Sequence, residues 1–97
     1  MFVRKDLSPA QITVQSCHAF GDACRKFLKE DDVHPHLVVL VLKNENKLRE
    51  IENRLKEAGI KYTAFLEDDM DNQMTAIATE PVSGETRNFF SKYMLLK

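Results

Sequence analysis

The sequence predicts an α/β fold: one domain over residues 1–97, with a four-stranded mixed β-sheet flanked by helices on both faces. Three observations carry this. Short apolar runs alternate with segments whose apolar residues recur at helical spacing. One run, Leu37-Val-Val-Leu-Val-Leu42, contains no polar residue, as in a central strand covered on both faces. One segment, Asn44 to Gly59, carries a cap, an amphipathic stripe and a glycine stop together.

Phe2 to Asp6 reads as a first strand that ends at a helix start. Ser8 is placed to cap, Pro9 falls at the first helical position, and Gln11 stands where a capping-box partner belongs. The helix runs from Ala10 to about Phe20, with Gly21 a break before a second piece reaching Lys29. Ile12, Ser16, Ala19, Ala23 and Phe27 make a narrow packing stripe. A polar connection, 30–35, leads to a strand over His36 to Lys43.

Asn44 caps the next helix, whose apolar positions are Leu48, Ile51, Leu55 and Ala58, and Gly59 ends it. Glu50 with Arg54, and Glu52 with Lys56, are favourable pairs on its outer face. Tyr62 to Leu66 and Met74 to Thr79 are the third and fourth strands, joined by the acidic stretch Glu67-Asp-Asp-Met-Asp-Asn-Gln73. Pro81 closes the fourth strand. Ser83 caps a last amphipathic helix bearing Phe89, Phe90, Tyr93 and Met94. That apolar face suits core packing, with a homodimer contact as the alternative.

Hydrophobic residues make up 43% and charged residues 30% of the chain, which is ordinary globular composition. Cys17 and Cys24 are seven residues apart on one expected helix. That is roughly 10 Å along the axis, too far for a disulfide, and points to a reducing compartment. The charged start Met1-Phe-Val-Arg-Lys-Asp6 lacks a signal-peptide pattern, and no run is long enough to span a membrane. The expected location is the cytoplasm. The net charge of −1 excludes a broad basic field, leaving Arg4/Lys5 and Arg25/Lys26/Lys29 as local patches, each also readable as solvated surface.

Sites in crossover sheets lie at the carboxyl ends of strands. Gln11, Gln15, His18 and Asp22, at spacings of four, three and four, form a polar stripe opposite the packing stripe. Aligned amide and imidazole groups can hold a carbonyl or a ribose hydroxyl. The plainer reading has Gln11 capping its helix and the others facing water. In the acidic loop, Glu67, Asp68, Asp69 and Asp71 could supply a base, since like charges favour protonation. They are also ordinary turn residues. Asp69 and Asp71 alternate as metal ligands do, but the glycine and distal glutamate of a calcium loop are missing, so no metal is expected.

The stretches Val3-Arg-Lys-Asp-Leu7, Ser8-Pro9, Gln15-Ser-Cys-His-Ala19, Lys56-Glu-Ala-Gly59, Thr63-Ala64 leading to Asp68, Ala78, Pro81 and Leu95-Leu96 span nearly the whole chain. Together they resemble the peptidyl-tRNA hydrolase family of the archaeal and eukaryotic type. The resemblance implies hydrolysis of the ester joining a peptide to the terminal ribose of tRNA. It also implies a four-strand mixed sheet between helices, a homodimer, and no metal or other cofactor. Carried over by position, Gln15, His18 and Asp68 are the catalytic candidates, with Gln11 and Asn72 as substrate-binding ones. Asp68 would orient or deprotonate the attacking water, Gln15 would donate to the carbonyl or fix that water, and His18 would hold the helix-face network or the substrate end.

The sequence departs from the family pattern at three points. Gln11 stands where the family has a lysine, Asp71 and Asn72 stand where it has arginine and threonine, and a following proline-glycine segment is missing. One positive charge is removed and another reversed, at a site that must approach a polyanion. Two readings follow: an ester hydrolase, and a non-catalytic relative that binds a protein or an RNA end.

Overall fold

The computed structural model describes residues 1–33 and 36–97. The chain forms β1 (Phe2–Arg4), α1 (Pro9–Phe27), β2 (Leu40–Leu42), α2 (Glu45–Ala58), β3 (Tyr62–Glu67), β4 (Gln73–Thr79) and β5 (Met94–Leu95), with short 3-10 segments at Asp68–Met70 and Gly84–Phe90. The sheet order is β3-β4-β1-β2-β5. β1 and β2 are parallel, whereas β4 runs antiparallel to β1 and β3, and β5 antiparallel to β2. The α/β class, the mixed sheet and the helix on each face are as expected; the strand count is five, not four.

Alternation along the strands divides the core between two faces. Phe2, Leu40, Met74 and Ile77 join Leu48, Ile51 and Leu55 of α2. Val3, Ala76 and Ala78 join Ala19 and Ala23 of α1. α2 begins where Asn44 accepts from the Lys47 backbone N–H, and ends where Gly59 turns left-handed at φ 71°. That conformation favours glycine because it has no Cβ. On its outer face the ion pairs are Lys47–Glu50 and Arg49–Glu45 rather than the expected ones. Arg54 and Glu52 turn instead to the hydroxyls of Tyr93 and Tyr62.

Three expectations need correction. α1 is a single helix, because Gly21 lies on its exposed side, where an unsupported residue costs little and forces no break. β2 is paired only over Leu40–Leu42, because β1 offers just Phe2, Val3 and Arg4 as partners. Leu37 and Val38 therefore stay 50% and 48% exposed, and the strand is shorter than the apolar run. The polar connection before it includes His34 and Pro35, which lie outside the described residues.

The last helix is replaced by a 3-10 segment and β5. Its apolar spacing of three suits either helix type, since residues three apart eclipse in 3-10 geometry. Phe90, which ends the segment, and Tyr93, in the turn that follows, both pack on Phe2, with ring centroids 5.8 and 5.2 Å away. The aromatic face is thus core packing, and Met94 passes into the edge strand.

Candidate functional site

The carboxyl ends of β1, β2 and β3 share one edge of the sheet with the start of β4. α1 leaves β1 at this edge and lays its first half over β3 and β4. Ser8 accepts from the Gln11 backbone N–H at 3.2 Å. The Gln11 side chain is used differently from a capping-box partner: its Oε1 accepts from Gln15 Nε2 at 3.0 Å.

Gln15 is the centre of the arrangement, and it is 0% exposed. The polar stripe is therefore not opposite the packing stripe. Gln15, Ala19 and Ala23, four residues apart, are the line that α1 buries against the sheet. His18 is exposed, and Asp22 pairs with Arg25.

A β-bulge makes room for a buried amide. Phe65 is paired with Ala76 but Leu66 with Met74, so β4 carries one extra residue, Thr75. A bulge re-aims the side chains around it. Here it puts the Thr75 hydroxyl on the α1 face beside Ala76, where it donates to Gln15 Oε1 at 2.8 Å. With its oxygen taken, Gln15 turns Nε2 to Gln11 Oε1 and to Glu67 Oε1, the latter at 3.3 Å. Thr75→Val is expected to cost about 1–3 kcal/mol, because a buried amide oxygen loses its donor. Urea unfolding of the variant measures this.

Phe65 and Glu67 alternate onto the same face of β3. Phe65 lies under His18, with rings stacked at 4.6 Å and 11°. Glu67, Asp68 and Asp69 bring carboxylate oxygens within 4.8 Å of one another. Asp68 is exposed and makes no side-chain hydrogen bond among the described residues. The loop then reverses through Asp71 and Asn72, both left-handed at φ 54° and 59°. Asn72 donates its backbone N–H to the Glu67 carbonyl at 2.9 Å, so it is tied to the site by its main chain.

Beyond Glu67 the network crosses the sheet. Glu67 is paired with Gln73, whose Oε1 accepts from Arg4 at 2.7 Å. Arg4 is buried and holds both carboxylate oxygens of Asp6, at 2.9 and 2.8 Å. The Arg4/Lys5 patch thus splits into a structural arginine and an exposed lysine. In the other patch, Arg25 is paired with Asp22 and Lys26 donates to Thr63.

The hydrogen bonds from Arg4 hold the Asp6 carboxyl below the ordinary carboxylate range. A depressed carboxyl contributes stability that is present above its unfolded pKa, about 4, and lost as pH falls through the folded value. Asp6→Asn should therefore flatten the fall in Tm below about pH 4 relative to wild type. Parallel curves would show that the pair contributes nothing.

Sequence reasoning did not single out Thr75 or Phe65, took Arg4 as half of a local basic patch rather than as a buried structural residue, and did not separate Glu67 from its acidic neighbours. No local pattern marks a bulge, so Thr75 carried no signal. Arg4 did: a charged residue closing a buried strand needs a partner, and Asp6 stands two residues on.

A cavity of about 990 Å³ lies at the other end of the sheet, bordered by Met1, Ala23, Leu40, Ala78, Pro81 and Phe90. It is remote from every candidate residue, and the convergent polar groups lie at the carboxyl edge, not there.

With this geometry in place, comparison with family models gives a match over residues 1–96 to "Peptidyl-tRNA hydrolase PTH2". The chain belongs to the peptidyl-tRNA hydrolase PTH2 family. No curated protein sequence matches it. The PTH2 match covers β1, α1, the acidic loop and β5 alike, so the bulge and the buried Gln15 belong to a PTH2 domain. No helix among the described residues is long and apolar enough to cross a membrane.

Proposed function

We propose that the protein hydrolyses the ester between a peptide and the 3′ end of tRNA, with Asp68, Gln15 and His18 as the residues that act on it. The observation that carries the reading is the buried Gln15 amide, oriented by Thr75 and offered toward Glu67 and the exposed Asp68 beside it. In the proposed reaction a water oxygen attacks the carbonyl carbon, the bond to the ribose oxygen breaks, and the ribose hydroxyl leaves with a proton. Asp68 accepts a hydrogen bond from the attacking water and takes its proton. The 3.3 Å bond to Glu67 is the longer of the two that Gln15 Nε2 makes, and it is the one a water or carbonyl oxygen exchanges with. His18, laid flat on Phe65, presents its ring nitrogens to the substrate end. Gln11 and Asn72 line the approach as amide donors.

The products test the reaction type. Expected are free N-blocked amino acid and a tRNA that can be aminoacylated again without repair. Shortened RNA would mean phosphodiester cleavage and would end this reading.

The second reading is a non-catalytic family member that binds a partner on the same edge. Three carboxylates within 4.8 Å, with Gln11 in place of a cation, favour it by repelling phosphate.

A further inference from the structure

The carboxyl edge of the sheet is electrically divided. On the β3 side lie Glu67, Asp68, Asp69 and Asp71. On the β1–β2 side cations and acids are mixed, and the cations differ in their pairing. Arg4 is neutralised by Asp6, and Arg49 by Glu45. Lys5 and Lys43 are exposed, and neither ammonium makes an ion pair or hydrogen bond among the described residues.

These two lysines are side by side. The parallel ladder runs Phe2↔Leu40, Val3↔Val41, Arg4↔Leu42, and the Lys5 N–H closes its last rung on the Leu42 carbonyl at 2.9 Å. Lys5 and Lys43 are the first residues past that rung on the two parallel strands, so they leave the sheet from adjacent strand ends. Val3 and Val41 face α1, so the same alternation puts Lys5 and Lys43 toward the α1 side, the side that carries Gln15. Like charges close together at neighbouring strands repel, and neither lysine has an ion-pair partner among the described residues. α1 starts just beyond, with no acidic residue in its first turn, which leaves its positive end uncompensated. Strands lie about 4.8 Å apart, so Lys5 stands roughly 10 Å and Lys43 roughly 14 Å from the line of β3.

We propose that Lys5 and Lys43 form a phosphate subsite that seats the RNA backbone upstream of the scissile ester. It rests on the ester-hydrolase reading above and adds the anchoring charge that the acidic loop lacks. A strand end held here points its terminal ribose across β4 toward Gln15 and Asp68. The repulsion between the lysines disappears once a phosphate lies between them. The acidic loop then meets the acylated 2′,3′ side of the terminal ribose, which carries no phosphate.

The test uses a fluorescent acceptor-stem minihelix with a single-stranded CCA 3′ end, titrated at several salt concentrations. Lys5→Ala with Lys43→Ala is expected to weaken binding roughly tenfold and to lower the slope of log affinity against log salt by about two. Lys61→Ala, at the opposite end of β3, is expected to leave both unchanged. The proposal is overturned if the double variant binds like wild type with the same slope. It is overturned also if wild type does not bind the minihelix.

Cleavage of peptidyl-tRNA separates this from the reading it rests on. Cleavage by wild type with KM unchanged in the double variant removes the subsite and keeps the hydrolase. Lysine-dependent minihelix binding without any cleavage keeps the subsite and removes the hydrolase.

Discussion

Asp68→Ala is expected to slow release of the amino acid from peptidyl-tRNA by about 10²–10⁴-fold, the usual contribution of a positioned base. The change should not unfold the protein. Asp68 is exposed, its side chain makes no hydrogen bond among the described residues, and it sits between Glu67 and Asp69, so its removal relieves like-charge repulsion. Stability within about 0.5 kcal/mol of wild type is the expectation for such a surface site. Single-turnover rates together with urea unfolding give both quantities. A rate lowered less than tenfold would shift the base to Glu67, which Gln15 already contacts at 3.3 Å. Glu67→Gln would then be the inactive variant.

The largest expected loss of stability is at Phe2. Its side chain is 0% exposed, at the centre of the α2 face, with Phe90 and Tyr93 against its ring. Phe2→Ala is expected to cost about 3–5 kcal/mol through lost burial and the cavity left behind. Against a total of about 5–15 kcal/mol for a domain, that is a large share. The C-terminal segment should loosen first, because the Phe2 ring is what Phe90 and Tyr93 close upon. Urea unfolding measures the total, and amide exchange at Leu96, whose N–H bonds to the Val39 carbonyl, reads the segment. A loss below about 1 kcal/mol would mean that the aromatic cluster does not hold the chain end in place.

The bounds and buried face of α2 were legible because independent signals agree there, while its surface ion pairs were not. Asn44 caps it, Leu48, Ile51 and Leu55 face the sheet, and Gly59 stops it. The C-terminal helix was misread because Phe89, Phe90, Tyr93 and Met94 have a spacing a helix would also give, whereas the 3-10 segment stops at Phe90 and a turn carries Tyr93 back onto the core before β5. β2 was read too long because an apolar run reports burial, not pairing, and the ladder ends where β1 ends.

At the site, sequence reasoning named Gln15, His18 and Asp68 but placed Gln15 on the wet side of α1. A glutamine facing the core needs a polar partner there, and its partner is Thr75, sixty positions away in the chain. Only the bulge in β4 turns that hydroxyl toward α1. Long-range pairing of this kind leaves no mark on periodicity.

On the proposed reading, this PTH2-family chain is a working ester hydrolase despite its acidic loop. The most direct measurement is the release of N-blocked amino acid from peptidyl-tRNA with wild-type protein in excess, timed against spontaneous hydrolysis. Single-exponential release far faster than the spontaneous rate is expected. Release no faster than spontaneous, from protein whose cooperative unfolding shows it to be folded, would contradict it and leave the non-catalytic binding reading in its place.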